Sequence, residues 1–178
     1  VTWERRSSVI TNTDGSVVFK MEGAEIPSDW SQLATDIVVS KYFRKAGIHG
    51  DKSKGETSVR EVVYRIARSI REVGEELGGY FASAKDADTF EAELTYLLVN
   101  QYGAFNSPVW FNCGLFSRYG IGGSGGNFAV EWDYLKGSRG GATSSKADAR
   151  AHEKPGTAPL VETTTAYERP QCSACFIQ

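Results

Sequence analysis

Few residues in this chain have chemical reach, and they cluster near its end. Cys172 and Cys175 stand three apart in RPQCSACFIQ, residues 169–178, and Cys113 is the one other cysteine. Such a pair can hold a metal, close a disulfide or do thiol chemistry. Zinc wants four ligands, and Cys113, His49 and His152 are scattered along the chain rather than spaced as a second pair. A thioredoxin-type pair needs its first cysteine at a helix N-terminus, where the dipole lowers its pKa. Here the strand-like Phe176-Ile177 follows instead. Buried, inert cysteines are the plain alternative. Side chains alternate faces along a regular strand, so residues three apart point to opposite sides. Cys172 and Cys175 are therefore poor partners for each other, and a redox role for Cys175 would need a partner elsewhere.

GIGGSG, residues 120–125, formally matches the dinucleotide pattern G-x-G-x-x-G. That chemistry needs a buried strand before the glycines and a helix after them, its amides facing the pyrophosphate. Phe116-Ser117-Arg118-Tyr119 makes a poor strand, and NFAVEWDYLKGSRGG offers no long helix, so a loop is the better reading. Arg139, Lys146 and Arg150, among serines and glycines, read as solvated. One function class left open is a small metal- or nucleotide-binding module using Cys172 and Cys175 or the glycine-rich loop.

The elements that would position these residues can be read from periodicity and punctuation. Residues 8–11 and 16–19 are short β-branched runs around Asp14-Gly15, the pattern of a hairpin. Trp30, Leu33, Ile37, Val38 and Tyr42 recur at helical spacing, predicting a helix from Ser28 to about Lys45, with Ser28 as N-cap after Pro27 and Gly47 as stop. Ser58 and Glu61 form a capping box ahead of the stripe Val59, Val62, Val63, Ile66, Ile70 and Val73, ended by Gly78-Gly79. A third helix is expected from Asp88, with Glu91 closing another capping box, through Phe90, Leu94, Leu97 and Leu98 to Gly103. AFNSPVWFN, residues 104–112, reads as a strand entrance or edge interrupted by Pro108. Residues 117–170 read as a long Gly/Ser-rich loop, and QCSACFIQ as another strand.

Bulk properties set the frame. A chain of 178 residues, 40% hydrophobic and 24% charged, is long enough for one core. A formal net charge of -2 carries no footprint for nucleic acid polymers or anionic membranes. No stretch approaches a membrane span, and sparse cysteines favour a reducing, cytoplasmic compartment. A start at Val1 and an end inside an apparent strand fit a piece of something longer.

AFNSPVWFNCGL followed by RPQCSACFIQ resembles the adenosylcobalamin-dependent (class II) ribonucleotide reductases. WSQLATDIVVSKYFRK, GGYFASAKDADTFEAELTYLLVNQYGAFNSP and YGIGGSGGNF are similar to that family's N-terminal region. The resemblance implies an α+β / α/β chain. Residues 1–103 would be an N-terminal hairpin and helical region, and residues 104–178 the first strands of a ten-stranded α/β barrel that is incomplete here. It implies ribonucleotide reduction, with cobalt–carbon homolysis supplying a radical to a cysteine and two further cysteines supplying the reducing equivalents. Cys175 matches the first reducing cysteine. Ser107 matches the position that holds the substrate phosphate, and Ala174-Cys175 lines the substrate site. The radical cysteine and the disulfide partner would belong to later strands. Implied partners are a ribonucleoside di- or triphosphate, dNTP or ATP effectors, a dithiol reductant such as thioredoxin, the remainder of the barrel, and a second copy in a homodimer. The chain alone is expected to be inert, to bind adenosylcobalamin little or not at all, and to hold no metal. Cys172 and Cys113 map to no chemical step.

Overall fold

The computed structural model describes residues 1–130, 160–170 and 172. It opens on an antiparallel hairpin of β1 (Trp3–Thr11) and β2 (Val17–Pro27). The turn lies where the Asp-Gly pair predicted it. Asp14 Oδ1 accepts from the Ser16 amide at 2.9 Å, and Gly15 takes φ 84°. The strands run well past 8–11 and 16–19, into stretches rich in charge where Ile26 is the one β-branched residue and the sequence signal is weak. Irregularities at Arg6/Ser8 and Ile10/Thr11 re-aim the ladder. The inner end of β2 drives Ala24 and Ile26 into the core, where both are fully buried.

The first helix starts later and ends earlier than its periodicity predicted. Ser28 stays with the hairpin, its amide donating to Thr2 O at 2.9 Å. Ser31 is the N-cap instead, accepting from the Ala34 amide at 3.1 Å. Helix α1 (Gln32–Ile37) then runs into a π turn, Val38–Tyr42, closed by Phe43 N–H donating to Val38 O at 3.0 Å. Phe43 is already extended.

Helix α2 (Val59–Leu77) is the spine, and its capping box forms as the sequence predicted. Val59, Val62, Val63 and Ile66 are buried to within 1% of completely, whereas Val73 at the far end is exposed. Helix α3 (Ala84–Val99) packs antiparallel beside it after a short connection. The Asp88/Glu91 capping box does not form. Ser83 caps the helix by accepting from the Asp86 amide at 3.2 Å, which adds a turn before Asp88. Asp88 and Glu91 instead face Arg71 of α2 at 2.6 and 2.8 Å, and Glu91 also meets Arg68 at 3.1 Å. Trp30 Nε1 donates to Val99 O at 2.7 Å inside the core, tying the entrance of α1 to the end of α3.

The stretch predicted as a strand around Pro108 is helical. Helix α4 (Ser107–Asn112) begins after Asn106, with Pro108 in its first turn, where a missing amide hydrogen costs nothing. The aromatic run misled because one short helical turn and a strand entrance share composition. Helix α5 (Leu115–Tyr119) follows at once. The expected loop of 117–170 thus begins inside a helix, and it contains β3 (Phe128–Val130) paired antiparallel with β4 (Leu160–Glu162). The predicted strand at QCSACFIQ lies outside the described residues apart from Cys172. The described architecture is mixed α and β, a hairpin and helices sharing one core with a second two-stranded ribbon alongside.

Candidate functional site

Ser107 is the first residue of α4 and is exposed. Its Oγ lies 3.0 Å from the Tyr42 hydroxyl, across 65 residues of sequence. The Tyr42 ring is pinned by two α4 aromatics, 5.8 Å from Trp110 and 5.2 Å from Phe111 between ring centres. The end of the π turn and the start of α4 therefore form one surface.

A buried ion pair holds that surface from below. The Arg65 side chain is 1% exposed and that of Glu56 is fully buried. Arg65 Nε donates to Glu56 Oε1 at 2.8 Å. Its other nitrogens donate to the carbonyls of Trp110 at 2.7 Å, Cys113 at 2.7 Å and Tyr42 at 3.2 Å. The carbonyls of Trp110 and Cys113 lie at the C-terminal end of α4, which a short helix cannot satisfy by itself. Glu56 is equally occupied. Tyr119 OH donates to Oε1 at 2.8 Å and the Arg44 amide to Oε2 at 2.7 Å. Burial first, and then the Glu56 charge, push the Tyr119 phenol well above its ordinary range. Gly114 closes the joint between α4 and α5 with φ 80°, and a Cβ there would stand 2.4 Å from Arg65 O.

Sequence reasoning missed this hub. Tyr42 reads as one more apolar stripe residue. The available signal was Arg65 itself, a charged residue on the flank of the Val62–Ile66 stripe, where a cation is stable only if fully paired.

Tyr42 lines two cavities, and Ser107 lines neither. One, of about 280 Å³, is apolar and bounded by Trp30, Leu98 and Trp110. The other, of about 410 Å³, is bounded by Lys41, Tyr42, Arg44, Lys45 and Tyr167, with no carboxylate among its described lining residues. Lys45 turns its ammonium onto Val39 O and the Phe19 ring, and burial lowers its pKa.

Cys113 and Cys172 line a third cavity, of about 510 Å³. Both thiols are free, and burial pushes both upward, Cys113 to about 11 with Cys172 adding to the shift. Neither is poised as a nucleophile. Ala174 and Cys175 lie outside the described residues. Among the described residues no three His, Cys, Asp or Glu side chains gather to hold a metal. The glycine-rich stretch follows α5 and precedes β3, the reverse of the strand-loop-helix order that dinucleotide binding uses. No described helix is long and apolar enough to cross a membrane.

A family model described as "Class II vitamin B12-dependent ribonucleotide reductase" matches residues 4–101, the hairpin through α3. The vitamin B12-dependent ribonucleotide reductase of Rhodopirellula baltica is 39% identical over 176 residues, covering 99% of this chain. The protein of the same name from Bradyrhizobium diazoefficiens is 36% identical and covers 97%. That of Streptomyces clavuligerus is 50% identical over 115 residues, 64% of the chain. The chain spans 12–14% of the length of these curated relatives. The chain belongs to the class II, vitamin B12-dependent ribonucleotide reductase family.

Proposed function

We propose that this chain is the N-terminal part of an enzyme that reduces ribonucleoside diphosphates to deoxyribonucleotides, and that Ser107 holds a substrate phosphate. The observation that carries the reading is the exposed Ser107 hydroxyl, fixed by α4 and paired with Tyr42 at 3.0 Å beside a cationic cavity. A positioned hydroxyl is a good donor to a phosphate oxygen, and surrounding cations favour the anion's approach. Cys175 is the first reducing cysteine, beside Ala174 at the ribose, and its partner thiol is supplied by later chain. The balance is one ribonucleotide plus two thiols giving one deoxyribonucleotide, one disulfide and one water. The two electrons come from the thiols, and the 2′-hydroxyl leaves as water.

Residues 1–103 act as a supporting hairpin-and-helix region, and residues 104–178 begin a ten-stranded α/β barrel completed by later chain. Deoxynucleotide or ATP effectors, a dithiol such as thioredoxin, homodimer formation and a cytoplasmic location complete the proposal. Adenosylcobalamin supplies the initiating radical when bound to the complete enzyme. The cavities of about 280, 410 and 510 Å³ are too small for a corrin ring with its nucleotide tail. These residues by themselves therefore do not fit the cofactor, and the chain alone is catalytically inert.

The test is made in the complete enzyme. Ser107→Ala should raise the substrate KM roughly ten- to a hundredfold, the value of a hydrogen bond to a charged phosphate. Cys175→Ser should abolish multiple turnover with a dithiol present, whereas Cys172→Ser should keep most of it. An unchanged KM in the first variant would remove the phosphate assignment, and normal turnover in the second would remove the redox one.

A further inference from the structure

The Tyr42 hydroxyl lies 3.0 Å from Ser107 Oγ, and the reading above gives it no role of its own toward the phosphate. We propose that Tyr42 is a positioning residue for substrate phosphate, acting through Ser107, and this rests on the assignment of Ser107 just given. A serine hydroxyl is a free rotor that can donate one hydrogen in any of three staggered directions. A phenol is the stronger donor of the two. With Tyr42 donating to Ser107 Oγ, the lone-pair side of the serine oxygen is occupied, and its own hydrogen is directed away from Tyr42. An incoming phosphate oxygen then meets a donor already turned outward.

The device works only if Tyr42 cannot swing, and both its ring and its backbone are held. Its ring is held against both Trp110 and Phe111. Its carbonyl accepts from Arg65 Nη2 at 3.2 Å, from the same guanidinium that holds the end of α4. The π turn sets its direction. Tyr42 is the last residue of that turn, which the Phe43 amide closes by donating to Val38 O at 3.0 Å. Lys41, the neighbouring residue, lines a cavity against Tyr42 together with Arg44, so the Tyr42 end of the pair is cationic.

The experiment uses the complete enzyme with Tyr42→Phe, Ser107→Ala and the double variant, assayed on cytidine diphosphate, with inorganic pyrophosphate as competing anion. Phenylalanine keeps the ring packing and removes only the hydroxyl. Tyr42→Phe should raise the KM for cytidine diphosphate and the inhibition constant of pyrophosphate roughly three- to tenfold, with kcat within about twofold. The double variant should be no worse than Ser107→Ala alone, because Tyr42 acts through Ser107. If Ser107→Ala raises KM and Tyr42→Phe does not, the role of Tyr42 is refuted while the phosphate reading stands. If Tyr42→Phe lowers kcat without moving KM or pyrophosphate inhibition, its role is structural and the inference fails. Multiplying effects in the double variant would make Tyr42 an independent phosphate ligand, which also overturns positioning through Ser107. If neither variant moves KM, the phosphate reading itself falls.

Discussion

Replacing Glu56 with glutamine tests the hub under the Tyr42–Ser107 surface more sharply than any truncation, since shape is kept and charge removed. Glu56 now compensates the charge of a guanidinium that is 1% exposed. One carboxylate oxygen serves Arg65 and Tyr119, each at 2.8 Å, and the other serves the Arg44 amide at 2.7 Å. A glutamine can satisfy one side only. If its oxygen faces Arg65 and Tyr119, its NH2 confronts the Arg44 N–H; flipped, it confronts the other two donors. Leaving one member of a buried ion pair uncompensated costs about 3–5 kcal/mol. Against a stability of about 5–15 kcal/mol for an ordinary domain, that is a large fraction. At a urea slope of about 2 kcal/mol per M, the midpoint should fall by roughly 2 M. The assay is equilibrium urea unfolding followed by tryptophan fluorescence, for which Trp30 and Trp110, each 8% exposed, are suited reporters. Tyr119→Phe, which leaves the ion pair in place, should cost only about 1–2 kcal/mol. A Glu56→Gln loss below about 1 kcal/mol, with the slope unchanged, would refute the claim that this pair holds α2, α4 and the π turn together.

With its thiol pushed up to about 11, Cys113 should alkylate with iodoacetamide at pH 7 roughly a few hundredfold more slowly than an unstructured cysteine, and denaturant should restore the normal rate. Because the folded pKa exceeds the unfolded one of about 8.5, this thiol's contribution is full below that pH and is lost as pH climbs toward about 11. A stability curve that rises through that window in the wild type relative to Cys113→Ala would contradict it. Ser83→Ala should cost about 1 kcal/mol as a lost N-cap, measured by urea unfolding, and an unchanged midpoint would place the start of α3 elsewhere.

What the sequence made legible was mostly local. The Asp14-Gly15 turn, the Ser58/Glu61 box and the apolar stripe of α2 are each set by residues within a few positions of one another; the first two form as read, and the stripe is buried from Val59 to Ile66 but exposed at Val73. Where two local signals competed, the reading went astray. Ser28 and Ser31 are both capable caps, and Ser31 prevails because the Ser28 carbonyl, which a cap lends to the first helical bond, accepts from Arg6 Nη2 at 2.8 Å instead, while Ser31 O accepts from the Thr35 amide. Asp88 and Glu91 have the spacing of a box, yet Arg71 on the neighbouring helix claims both carboxylates. Pro108 interrupts a strand and opens a helix equally well. The candidate site was legible only as Ser107, through resemblance. Its supports come from 65, 42 and 51 residues away in sequence, at Tyr42, Arg65 and Glu56, and no periodicity links them.

Gly114 gives that arrangement a fixed dimension. At most helix contacts the spacing is set by side chains, so a larger or smaller residue shifts one element against the other by a fraction of an ångström. Here a Cβ would lie 2.4 Å from Arg65 O, so the α4–α5 joint rests main chain against main chain on α2. The offset between the α2 spine and the segment carrying Ser107 is therefore a backbone length rather than a packing compromise. Core residues elsewhere can be exchanged and repacked while the height of the Ser107 hydroxyl above α2 stays the same, as a machined shoulder holds a part whatever fills the space around it.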